Sequence, residues 1–131
     1  MTSRLTLLEI ADMFAEKLNF EDVYSSNADT SKEKAIGIYS RIGNKYRRCI
    51  GTTESYQVMQ ISVLIHWTEN PSEAESEVNA VAEIIDSLRN ESTSKHIIKF
   101  ADVCGIHNID KDENGICEYV ADADIIYTDK E

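Results

Sequence analysis

The chain has 131 residues, 42% of them apolar and 28% charged, which fits one globular domain spanning residues 1–131 with a real core. Its net charge of −11 lies entirely in residues 69–131, where sixteen acidic side chains face five basic ones, while residues 1–68 balance eight against eight. An acidic half repels phosphates and argues against sequence-specific nucleic-acid binding, though not against DNA that passes without sticking.

The most apolar run, Val58–Trp67, is too short to span a bilayer, so no membrane role is expected. The N-terminus lacks the h-region and cleavage site of a signal peptide, and the chain reads as cytosolic. Cys49, Cys104 and Cys117 fit neither a disulfide framework nor a metal knuckle, and they read as buried or half-buried thiols in a reducing compartment.

Thr6-Leu-Leu-Glu9 has the form of a capping box, with Thr6 as N-cap. Leu7, Ile10, Ala11, Phe14 and Leu18 follow at three- and four-residue spacing, which predicts a helix ending near Asn19. Tyr24–Lys34 is polar and turn-rich and reads as a connection, and Ala35–Ser40 as a short strand. Arg41–Ser55 reads as a loop, or a ragged hairpin, that concentrates Arg41, Lys45, Arg47 and Arg48. These four bases are either a solvated loop or a contact surface for an acidic neighbour.

Tyr56–Trp67 is the strongest strand: Met59, Ile61, Val63, Ile65 and Trp67 alternate onto one face. Its other face, Val58, Gln60, Ser62, Leu64 and His66, is mixed, as in a sheet covered on one side only. After Asn70-Pro71, Ser72-Glu-Ala-Glu75 reads as a second capping box, and Ala74, Val78, Val81, Ala82, Ile85 and Leu88 form the stripe of a helix ending around Asn90. Glu91–Lys95 reads as a polar connection and Ile97–Cys104 as extended but irregular, with His107–Lys111 leading to a turn. In Ile116–Tyr127 the period is two, with Cys117, Tyr119, Ala121, Ala123, Ile125 and Tyr127 on one face and Glu118, Asp122 and Asp124 on the other.

That turn has two readings. Asp110, Asp112, Asn114 and Gly115 spell the opening of an EF-hand loop, but the twelfth position, which needs a bidentate Glu, is Ala121, and the flanks alternate like strands. Asp-Glu-Asn-Gly instead suits a type I′ hairpin. Asp110, Asp112 and Asn114 remain candidates for weak calcium binding. The expected architecture is α+β in the order α-β-β-α-β-β, a mostly antiparallel or mixed sheet with two main helices on one face.

His66, His96 and His107 belong to no metal-binding or nucleophilic spacing and read as surface or edge histidines. No phosphate-cradling loop is present, and Asp122 and Asp124 are explained by an exposed strand face. No catalytic residue and no cofactor is expected.

The succession AIGIYSR, a Gly-containing loop, and YQVMQISVLIHWTENPSEAE leading into a helix resembles bacteriophage minor capsid proteins of the tail-terminator type. The closing DENGICEYVADADIIYTD resembles the hairpin that ends that family's fold, so the likeness runs from about Lys34 onward. The resemblance implies a non-enzymatic α+β subunit that joins a ring, commonly a hexamer, at the head-proximal end of the tail tube. Such a ring stops tube growth and docks the head, with the tail tube protein and a head-completion or connector protein as partners and DNA passing through its lumen. It would form in the bacterial host cytoplasm and reside in the virion. Arg41, Lys45, Arg47 and Arg48 are then interface candidates, and part of the acidic half is a candidate lumen lining. The rival reading is a cytosolic adaptor or regulatory domain whose sheet binds a peptide or small ligand.

Overall fold

The computed structural model describes residues 4–25, 31, 33–41 and 56–129. Its elements are α1 (Leu7–Leu18), β1 (Val23–Ser25), β2 (Ala35–Ser40), β3 (Gln57–His66), α2 (Pro71–Ser87), β4 (Arg89–Ser92), β5 (His96–Lys111) and β6 (Cys117–Asp129). The strands form one sheet in the order β1-β2-β3-β6-β5-β4. The β1–β2 pair is parallel and the other four are antiparallel, so the fold is α+β with a mixed sheet.

The element order is richer than the sequence predicts. β1 (Val23–Ser25) overlaps the start of the Tyr24–Lys34 connection, and β4 takes Arg89 and Asn90, read as the end of the second helix, with the first two residues of the Glu91–Lys95 connection, so that α2 ends at Ser87. Both are short edge strands, held by pairing to β2 and β5 rather than by any hydrophobic pattern of their own. The separate extended pieces expected between Ile97 and Lys111 are one sixteen-residue strand, bent by register shifts at Ile98/Phe100, Val103/Gly105 and Asn108/Asp110.

The core lies between the sheet and both helices. In β3, Met59, Ile61, Val63 and Ile65 are buried and stand opposite Ile125, Ala123, Ala121 and Tyr119 of β6. Ile36 and Ile38 of β2 continue the same face. Ile10 and Phe14 of α1, and Val78, Val81 and Ile85 of α2, join that cluster. The opposite face of β3 and β6 carries half-buried Val58, Gln60, Ser62, Leu64, Val120, Asp122, Asp124 and Ile126. Both helices therefore cover one side of the sheet, as the alternation predicts.

The first capping box is present: Glu9 N–H donates to Thr6 Oγ1 (3.2 Å), and Thr6 N–H donates to Glu9 Oε2 (3.0 Å). Asn19, left-handed at φ 52°, ends α1. The second box is a correction. The N-cap of α2 is Asn70, whose Oδ1 accepts the Ser72 N–H at 2.9 Å, with Pro71 at the first helical position. The cap thus lies two residues before the serine and the helix begins at Pro71, because Pro71 has no N–H to lose and its φ is already helical.

The β5–β6 turn is a hairpin, though not of type I′. Gly115 N–H donates to Asp112 O (3.0 Å), Asp112 N–H donates to Ile116 O (2.9 Å), and within the turn only Gly115 has positive φ, 81°. This is a type I turn closed by a glycine bulge, the three-residue loop in which one left-handed residue suffices.

Candidate assembly surface

The side of the sheet that the helices leave open is the candidate contact surface. Across it runs a polar band: Gln60, Asp124 and Asp102 stand in register on β3, β6 and β5, with Ser62 and Asp122 one row along. Ser62 Oγ donates to Asp122 Oδ1 at 2.6 Å, and His107 Nε2 lies 3.1 Å from Asp122 Oδ2. Apolar rows flank the band, Val58, Ile126 and Phe100 on one side and Leu64 and Val120 on the other. Phe100 is 40% exposed.

Arg41, the first of the four candidate interface bases, lies at the end of β2. Its guanidinium pairs with Asp124, so its charge is used within its own sheet. Cys104 is exposed rather than buried; the partial desolvation that remains raises its thiol and Asp124 adds to this, while Arg41 opposes it. Lys45, Arg47, Arg48 and Cys49 lie outside the described residues.

Of the turn candidates, Asp112 is fully engaged inside the protein. Its Oδ1 accepts the N–H groups of Asn114 (2.9 Å) and Ile116 (3.0 Å), and its Oδ2 lies 2.8 Å from His66 Nε2. The His66 hydrogen bond, then the Ile116 amide, hold the Asp112 carboxyl below its ordinary range. Asp110 has φ 95° at a register shift, and its Oδ1 accepts the Lys111 N–H. Among the described residues, no three His, Cys, Asp or Glu side chains gather as a metal ion would require.

Two histidines are not at the surface as the sequence suggests. His66 is fully buried at the end of β3, with Asp112 on Nε2 and no hydrogen-bond partner for its Nδ1 among the described residues. His96 is 1% exposed, and its Nδ1 lies 2.9 Å from Glu9 Oε1. Glu9 also accepts from Thr93 Oγ1 (2.9 Å) and the Lys95 N–H (3.1 Å). Burial alone would raise the Glu9 carboxyl, but hydrogen bonds from His96, Thr6 and Thr93 outweigh it and lower it to about 2. An ionised carboxylate only accepts, so His96 carries its proton on Nδ1. No local spacing signals these pairs, because their members are 46 and 87 residues apart in the chain.

These contacts do not form a catalytic relay. In the Ser62–Asp122–His107 group the carboxylate sits between hydroxyl and imidazole, so the serine donates to Asp122 and no base draws its proton. Buried His66 and His96 each meet a carboxylate that serves a turn or a cap. A polar recess of about 260 Å³ lies beside Glu9, Asp12, Lys17 and Glu91, and a more open hollow of about 460 Å³ lies beside Lys34, Trp67, Glu73 and Glu77. No helix among the described residues is long and apolar enough to cross a membrane.

The described residues form an α+β domain whose sheet is covered by helices on one side and carries a polar band on the other, with Glu9, Asp112, Asp122 and Asp124 each engaged by hydrogen bonds or ion pairs within the fold. The pattern of the bacteriophage tail terminator protein family matches residues 16–129, and the chain belongs to that family. It is a phage structural protein. The fold is similar to that of a chain in the virion of a native gene transfer agent particle, with TM-score 0.61 and 9% identity over 95% of this chain and 92% of that one. No curated protein matches the sequence.

Proposed function

We propose that this chain, folded as one domain, is the subunit of a ring of about six copies that ends the tail tube and receives the head. The family match over residues 16–129 carries the reading. The open, polar-banded sheet face supports it, since a subunit that works by contact needs uncovered surface. The similar fold in a gene transfer agent virion is in keeping with residence in a virion. Assembly takes place in the host cytoplasm, with the tail tube protein below and a head-completion protein above, and no catalysis or cofactor is involved.

A heterologous ring joins two different patches of each subunit, and the charge division supplies them. Arg41 pairs with Asp124 in its own sheet, and Lys45, Arg47 and Arg48 are the bases assigned to an acidic neighbour. Part of the acidic 69–131 half lines the lumen, where negative charge lets DNA slide. The test is the double reversal Arg47→Glu with Arg48→Glu, followed by assembly mass and by completion of tails. A folded monomer that no longer assembles supports the reading, and undiminished assembly removes this stretch from the interface.

A further inference from the structure

The sheet has an edge that is guarded at both ends and open in the middle. β4 flanks β5 only from Ile97 to Phe100. Beyond that point no described strand lies on the outer side of β5. At Val103 the backbone N–H is capped by Asp86 Oδ1 from α2 (3.2 Å). At the tip, the Asp110 N–H is capped by Asn108 Oδ1 (2.8 Å) and the Lys111 N–H by Asp110 Oδ1 (2.9 Å). Between these caps, no described strand besides β6 pairs with Cys104–Ile109, and Cys104 and Ile106–Ile109 are exposed.

Exposed strand edges are normally blunted by charge, proline or covering side chains, because unpaired amides and carbonyls recruit other strands. Here Ile106 and Ile109 are 41% and 51% exposed. Ile106 stands opposite buried Ala121, yet is itself exposed. The window is about the length of an average strand.

We infer that Cys104–Ile109 is the docking edge for a strand of a second copy of this chain, and that the strand is β1. β1 is the terminal strand at the opposite end of the sheet; its Val23 N–H donates to Glu21 O (2.9 Å), so a partner strand there pairs through Ser25. Unlike edges at opposite ends are what a head-to-tail ring uses, each sheet continuing into the next. This inference rests on the ring reading and adds where the subunits join.

The test combines native mass spectrometry with hydrogen exchange on the full chain, alone and on purified tail tubes. In the assembled state, the amides of Cys104–Ile109 and the amide of Ser25 exchange about tenfold more slowly or better than in the dilute monomer. The double variant Ile106→Lys with Ile109→Lys melts within about 2 °C of the parent and stays monomeric. Rings that form while Cys104–Ile109 exchanges at the monomer rate, or rings formed by the lysine variant, overturn the edge and leave the ring standing. Protection at Cys104–Ile109 without protection at Ser25 overturns β1 as the occupant. A parent chain that is monomeric in every condition overturns the ring and the edge together.

Discussion

Glu9, in the first turn of α1, and His96, the first residue of β5, share a hydrogen bond of 2.9 Å although they stand 87 residues apart. One carboxylate caps its own helix and ties that helix to the β4–β5 connection. Glu9 is 7% exposed, and its carboxyl falls from 4.5 to about 2 on folding, a difference worth about 3 kcal/mol. Because the folded value is the lower one, that stability is fully present above pH 4.5 and is lost as pH falls toward 2. Glu9→Gln should cost about 2–3 kcal/mol at pH 7 and flatten the acid limb, as read by urea unfolding at pH 7, 4 and 2.5.

The start of α2 separates two capping schemes. Asn70→Ala removes the acceptor of the Ser72 N–H and should cost about 1 kcal/mol, whereas Ser72→Ala should change stability by less than about 0.5 kcal/mol. Equal losses at the two positions would restore Ser72 as the cap. Thermal melts of the two variants decide it.

Where side chains repeat along one element, the fold is legible in the sequence. The alternation of β3 and β6, the stripes of both helices and the Thr6–Glu9 box each depend on residues a few positions apart, and all are found in place. Tyr24 and Asn90 belong to strands whose only warrant is a partner strand, Gly37 and its neighbours for one and Phe100 and its neighbours for the other. Asn70-Pro71 outcompetes the serine four residues before Ser76 because proline fits the first helical position, a preference that overrides the Ser-x-x-Glu pattern. The burial of His66 and His96 is invisible locally, since Asp112 and Glu9 reach them only through the sheet. The tail-terminator family is legible from short phrases and element order, while the open edge of β5 needs the strand order to be known.

At the hairpin, Gly115 has φ 81° and a Cβ added there meets no atom within 4 Å. The cost of Gly115→Ala is therefore backbone strain alone, about 1 kcal/mol, and Gly115→Asn should recover part of it. A type I′ turn would also need a left-handed Asn114, so Asn114→Ala should be mild here, within about 0.5 kcal/mol. Denaturation midpoints of the three variants check the turn.

The Arg41–Asp124 pair lies on the partly exposed sheet face, with side chains 20% and 32% accessible. Pairs of this kind contribute little, and Arg41→Ala should lower stability by less than about 1 kcal/mol. Its effect on assembly should also be smaller than that of Arg47→Glu with Arg48→Glu, because Arg41 is engaged within its own subunit. Parallel melting and assembly assays of these variants test both expectations.

The most direct measurement is native mass spectrometry of the full chain across a concentration series, alone and with purified tail tubes, in the presence and absence of calcium. The account predicts a closed assembly of about six copies, on tubes if not in free solution, with the same mass whether or not calcium is present. A chain that stays monomeric at every concentration and leaves tubes unoccupied would contradict it.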